Sequence, residues 1–172
     1  MIGGLFRARE AEGVSTTAKI DVGAVLGAGR ELELHQTVPL PDFESFSFPS
    51  PADVSLTARR LGSGLELEGT VDTAAVGACA RCLNAVRLPL HLDVVECLEP
   101  PGGSSDPFGE NNVLAGDQLD LPDLVRQLID SALPIVLLCD ENCPGLCPTC
   151  GKRRDGACFC GPTDPGVTDG QS

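Results

Sequence analysis

Apolar and polar residues alternate along much of the first hundred positions. Leu32 and Leu34 alternate with Glu31 and Glu33; Val54, Leu56 and Ala58 with Ser55, Thr57 and Arg59; Leu65 and Leu67 with Glu66 and Glu68. A period of two sends one set of side chains to a core face and the other to water, so each stretch predicts a half-buried strand. Leu61-Gly62-Ser63-Gly64-Leu65 joins the second and third strands as a hairpin, because glycine takes the positive φ that a tight turn needs. The clearest strand is Val86 to Val94, where Val86, Leu88, Leu90, Leu92 and Val94 face one way and Arg87, Pro89, His91 and Asp93 the other. Pro89 has no N–H to donate, which predicts an edge position. Pro39 to Pro51, with Phe43, Phe46 and Phe48 spaced among acids and serines, reads as a loop docking apolar side chains on the sheet.

The period changes after residue 112. Pro100-Pro-Gly-Gly-Ser-Ser-Asp-Pro107 cannot hold a regular element, so 100–112 is expected to be a flexible link. Beyond it, Asp120 is placed to cap a helix with Pro122 in its first turn. Leu121, Leu124, Val125, Leu128, Ile129 and Ala132 fall on one face at 3.6-residue spacing, and the helix ends before Pro134. Ile135 to Leu138 predicts a strand or extended segment. The expected fold is α+β: an antiparallel β-sheet domain, one main covering helix and a short cysteine-rich, zinc-binding C-terminal tail. The chain divides into a β-rich region with a Cys-x-Arg-Cys motif (1–99), the link (100–112), helix plus apolar strand (113–138), a zinc-binding cysteine cluster (139–161) and a disordered tail (162–172).

That cluster holds six of the nine cysteines: Cys139, Cys143, Cys147, Cys150, Cys158 and Cys160. Cys147-Pro-Thr-Cys150-Gly is a zinc-knuckle turn, in which two intervening residues aim both sulfurs at one point, Pro stiffens the loop and Gly allows a positive φ. Cys158 and Cys160, at hairpin distance downstream, are the expected second pair of a four-thiolate zinc site. Cys139 and Cys143 are the rival pair. If Cys147, Cys150, Cys158 and Cys160 bind one metal, then Cys79, Cys82, Cys139 and Cys143 remain as a second four-thiolate set, with Cys97 the spare. A disulfide cluster would suit a secreted chain, but the first residues lack the apolar core of a signal peptide and no stretch has the length of a membrane span. A cytoplasmic protein with reduced thiols is therefore expected. A Cys-x-x-Cys thiol oxidoreductase is a rival reading, weakened because neither pair stands between a parallel strand and an amphipathic helix start.

Charge narrows the function. Twelve Lys and Arg against 25 Asp and Glu give a formal net charge of −13, and with six Phe but no Trp or Tyr there is little material for stacking bases. Binding to naked nucleic acid is expected to be weak or absent, whereas an acidic body suits a basic protein partner. Arg81, between two cysteines, and the run Lys152-Arg153-Arg154 are the candidate RNA contacts; a zinc-ribbon nucleic-acid-binding accessory protein is the alternative they would support. His35 and His91 sit at outward positions of alternating strands. Nothing in the chain assembles a nucleophile, its base and an oxyanion stabiliser, so neither catalysis nor a small-molecule substrate is expected.

Cys79-Ala-Arg81-Cys82-Leu83, then Leu121-Pro-Asp-Leu124-Val-Arg126, then Leu133-Pro134 followed by Leu138-Cys139-Asp-Glu-Asn-Cys143-Pro-Gly145-Leu146-Cys147-Pro148-Thr-Cys150-Gly151, resembles the bacterial YceD family, also called DUF177. The resemblance spans roughly residues 15 to 160. It implies a non-catalytic ribosome biogenesis factor supporting accumulation of large-subunit ribosomal RNA. Family members are commonly encoded beside a small basic zinc-ribbon protein of the large subunit. The implied partner is thus a basic large-subunit ribosomal protein or a pre-ribosomal particle.

Overall fold

A computed structural model of the chain describes residues 19–43, 45–99, 113–154 and 160. The expected link at 100–112, the tail at 162–172 and Cys158 lie outside the described residues. The elements run β1 (Lys19–Asp21), α1 (Gly23–Ala28), β2 (Leu32–Val38), β3 (Phe46–Ser47), β4 (Ala52–Leu61), β5 (Gly64–Ala78), β6 (Ala85–Leu98), β7 (Leu114–Ala115), β8 (Gln118–Asp120) and α2 (Leu121–Ala132). They build two antiparallel arrangements where one sheet was expected: β1-β8-β7, and β2-β4-β5-β3 with β6 paired to β5. The small sheet was invisible in the sequence because strands of two or three residues are too short to show a period.

The chain forms two compact units, each discontinuous in sequence. The first takes residues 1–40, 50–73 and 90–132. Here β2 pairs with β4 from Leu32↔Ala58 to Val38↔Ala52, and β4 with β5 from Asp53↔Asp72 to Leu61↔Gly64. The register stacks Leu34, Leu56, Val54, Ala58, Leu67 and Val71 on one buried face. Each large aliphatic side chain so buried contributes about 1.5–3 kcal/mol. The opposite face is polar: Arg59 bridges Glu31 and Glu68, each at 3.0 Å, and His91 meets Asp72 at 2.6 Å. All of these side chains are more than two-fifths exposed, so the pairs are worth little to stability.

A helix the sequence pattern did not reveal, α1, packs on β4 and buries Val25. Its Gly-Ala-Val-Leu-Gly-Ala stretch has too few polar positions for periodicity to register. The expected helix α2 starts as read, with the Asp123 N–H donating to Asp120 Oδ1 at 3.2 Å, and it buries Leu121, Leu124, Val125 and Ile129. Ala132, assigned to the same face, is exposed at the last turn.

The second unit takes residues 41–49, 74–89 and 133–172. The Phe-rich segment is more than a loop, since Phe46 and Ser47 pair with Gly77 and Val76 as β3. Phe46 and Phe48 are buried, and the rings of Phe43 and Phe48 stack with centroids 4.8 Å apart. Gly77 is required by close packing: a Cβ there would lie 2.9 Å from both Leu137 Cδ2 and the Phe46 ring. Ile135 to Leu138 does not form the expected strand, the chain bending at Ile135 and Val136; the Leu137 carbonyl accepts the Ala80 N–H at 2.8 Å, and Leu137 alone of the four is buried. Ile135 and Val136 point into solvent.

Candidate metal centre

β5 ends at Ala78 and β6 begins at Ala85, and the turn between them is built from Cys79 to Asn84. The Cys79 N–H donates to the Asn84 carbonyl at 2.8 Å and the Leu83 N–H to the Cys79 carbonyl at 2.9 Å, closing a loop that directs both sulfurs inward. Leu83 takes a left-handed φ of 63° to complete it, and its side chain is 66% exposed. The second loop, Cys139 to Cys143, is turned by the Cys143 N–H on the Asp140 carbonyl (3.0 Å) and the Asn142 N–H on Asp140 Oδ1 (2.8 Å).

These two loops bring Cys79, Cys82, Cys139 and Cys143 together, every sulfur within 4.8 Å of every other. Cys79 and Cys143 sulfurs are 3.8 Å apart, Cys82 and Cys139 sulfurs 3.6 Å. A disulfide needs about 2.05 Å, whereas the edge of a thiolate tetrahedron around zinc, with bonds of about 2.3 Å, is about 3.8 Å. The spacing therefore fits a tetrahedral metal site. Cys79, Cys82 and Cys143 are buried against the partly buried apolar side chains of Val86, Leu138 and Leu146, while Cys139 is exposed. Cys79 and Cys139 are shifted in opposite directions. The Cys139 backbone N–H beside its sulfur lowers Cys79 to about 6, and hydrogen bonding to the Cys143 and Cys82 thiols pushes Cys139 up to about 12.

Cys147, Cys150 and Cys160 form a second group with sulfurs within 4.8 Å of one another. The knuckle hairpin behind it is regular: the Gly151 N–H donates to the Cys147 carbonyl (2.8 Å), the Cys147 N–H to the Lys152 carbonyl (2.7 Å), and Leu146 bridges Arg153. Cys147 is buried and Cys150 and Cys160 are exposed. Each group could hold a metal ion. Cys158, expected as a ligand here, lies outside the described residues, and Cys97, the expected spare, is exposed on β6.

The two groups share a backbone. The Arg81 carbonyl, between Cys79 and Cys82, accepts the Leu146 N–H at 3.1 Å, and the Arg154 N–H donates to the Gly145 carbonyl at 3.1 Å. Gly145 has φ +73°, and a Cβ there would lie 3.2 Å from the Arg81 carbonyl oxygen, so neither the conformation nor the approach suits a larger residue. Of the candidate RNA contacts, Lys152 and Arg154 are exposed on the hairpin and Arg153 is half-buried. The Arg81 guanidinium instead turns back onto the Cys139–Cys143 loop, with Nη1 donating to the carbonyls of Glu141 (3.1 Å) and Cys143 (3.2 Å). The sequence signalled the loop through its Cys-x-Arg-Cys spacing but not that the arginine would be used internally.

A shallow depression of about 440 Å³ in the same unit is lined by Asp42, Phe46, Val76, Gly77, Leu83 and Ala85, among others. Asp42 is the single ionisable group in that lining, and its carboxylate accepts the Phe48 N–H at 3.2 Å. No acid–base pair converges there among the described residues.

Residues 67–166, a span that takes in both cysteine groups, match the family described as large ribosomal RNA subunit accumulation protein YceD. The chain belongs to the YceD family. Proteins of Mycobacterium tuberculosis and Mycobacterium bovis, both named as uncharacterized, are 33% identical to this YceD-family chain over 131 residues, 72% of this chain and 63% of theirs. A Mycobacterium leprae protein, likewise named as uncharacterized, is 27% identical over 105 residues, 59% of this chain and 48% of its own length. The chain thus spans less than two thirds of the curated relatives it matches. No solved structure matches it. Among the described residues, no helix is long and apolar enough to cross a membrane.

Proposed function

We propose that this YceD-family chain is a non-catalytic ribosome biogenesis factor of the cytoplasm that supports accumulation of large-subunit ribosomal RNA, with zinc at both cysteine groups. The observation that carries the zinc reading is the tetrahedral spacing of Cys79, Cys82, Cys139 and Cys143 in an apolar shell. All-thiolate tetrahedra select zinc among redox-inert divalent ions, and a closed four-thiolate set is a structural site with no open position for substrate. Cys147, Cys150 and Cys160, completed by Cys158, hold the second zinc. The two sites staple a cysteine-rich unit whose hydrophobic core is small.

The chain acts by binding a basic large-subunit ribosomal protein or an assembly particle carrying one. The charge is distributed to suit this: the first unit has seven Lys and Arg against eighteen Asp and Glu, the second five against seven. Exposed Glu33, Asp53, Glu68, Asp72 and Asp93 on the strands supply the face that meets a cationic partner. A second reading, RNA contact by Lys152 and Arg154, is favoured by their exposure on the knuckle hairpin.

The test is depletion of the chain in its host with measurement of large-subunit against small-subunit RNA, followed by rescue with wild-type and Cys82→Ser forms. Loss of large-subunit RNA that only the zinc-competent form restores is the expected result. Unchanged RNA ratios on depletion would overturn the assignment.

A further inference from the structure

Arg81 stands between two thiolate ligands, yet its side chain reaches away from its own loop. Nη1 donates to Glu141 and Cys143 carbonyls at 3.1 and 3.2 Å, its backbone N–H lies 3.5 Å from Cys79 Sγ, and its carbonyl receives the Leu146 N–H at 3.1 Å. The Cys139–Cys143 loop is one residue longer than a Cys-x-x-Cys knuckle, and its own turn uses only the Asp140 carbonyl and carboxylate. The Glu141 and Cys143 carbonyls are drawn together by a single cationic donor from the opposite loop. A divalent ion on four thiolates leaves a net charge of −2, which a guanidinium held on the adjoining loop offsets.

We propose that Arg81 is the positioning residue of the Cys79–Cys82–Cys139–Cys143 metal site, clamping the Cys139–Cys143 loop in its ligating conformation and compensating the charge of the metal–thiolate complex. The assignment rests on that site binding metal. Arg81 joins the two ligand pairs by hydrogen bonds of its own, which lowers the ordering cost of metal binding. Through its carbonyl it also fixes the residue that precedes Cys147, so the second group is built on the same arginine.

The test uses the full chain with Cys150→Ser and Cys160→Ser, so that only the first site loads. Zinc affinity is measured by chelator competition, and cobalt absorption bands report ligand geometry. Arg81→Met is expected to weaken zinc binding about 10–100-fold and to shift the cobalt bands while the far-ultraviolet circular dichroism stays unchanged. Arg81→Lys, which keeps the charge but loses the planar fork, is expected to recover part of the affinity. Wild-type affinity and bands in Arg81→Met would overturn the assignment while leaving the metal site intact. Absence of metal binding in the parent would overturn the metal reading and the role of Arg81 with it. Should Arg81→Met not fold, Arg81→Lys decides, because unaltered affinity and bands there exclude a geometric role for the guanidinium.

Discussion

Cys82 and Cys139 are 57 positions apart in the chain, and their sulfurs lie 3.6 Å apart. A contact of that kind is made by the turn after β5 meeting the loop after Leu138, and a metal ion would lock it. Substituting Cys82 by Ser should therefore reduce zinc content by about one per chain, read by native mass spectrometry of protein purified without chelator. The remaining zinc, on the knuckle group, should persist. Full zinc occupancy in Cys82→Ser would remove this site from the reading.

The knuckle group gives the second prediction. Three sulfurs are assembled by Cys147, Cys150 and Cys160, and a closed structural site needs four. Cys158→Ser and Cys160→Ser should each release one zinc and leave the Cys79 group loaded. If Cys158→Ser keeps both metals, the fourth ligand lies elsewhere.

His91 provides a pH-dependent marker of the polar sheet face. Its Nδ1 lies 2.6 Å from Asp72 Oδ1, and hydrogen bonding to that carboxylate, with its charge, raises the imidazole pKa above its ordinary 6.5. A raised folded-state value means the pair stabilises fully below pH 6.5 and loses that contribution as pH rises through the folded pKa. Nuclear magnetic resonance titration should place His91 above 6.5, and Asp72→Asn should bring it down. The exposure of both side chains keeps the effect on stability small. A His91 midpoint indifferent to Asp72→Asn would contradict the pairing.

Asp120 closes β8 and caps α2 together. Its N–H donates to the Val113 carbonyl at 2.7 Å and its carboxylate accepts the Asp123 N–H at 3.2 Å. Asp120→Ala should cost about 0.5–2 kcal/mol in denaturant unfolding, and Asp120→Asn, an equally good cap, much less. Equal losses in both would assign the effect to charge rather than to the cap.

Partner binding is predicted from the charge imbalance. Association with the small basic zinc-ribbon protein of the large subunit should weaken steeply between low and physiological ionic strength, and naked large-subunit RNA should bind weakly under both conditions. Salt-resistant RNA binding without affinity for the protein would instead promote Lys152 and Arg154 to a binding surface.

The sequence by itself determined the long elements and the chemistry of the tail. Period-two patterns located β2, β4, β5 and β6, because a strand with one buried face must alternate; the apolar stripe with Asp120 and Pro122 located α2 for the same kind of reason. Cysteine spacing identified which thiols lie close along the chain, since two intervening residues leave little conformational freedom. Short elements escaped: β1, β3, β7, β8 and α1 carry too few residues for a period, and β1, β3 and α1 are fixed by partners far along the chain. The same limit governs the cysteines. That residues 79 and 82 meet 139 and 143 follows from the Ala80 N–H on the Leu137 carbonyl and from Arg81 reaching Glu141 and Cys143, contacts across some sixty positions that no local pattern encodes. Local propensity depends on neighbours in sequence and was readable there; the Arg81 clamp depends on neighbours in space, and only the folded chain decided it.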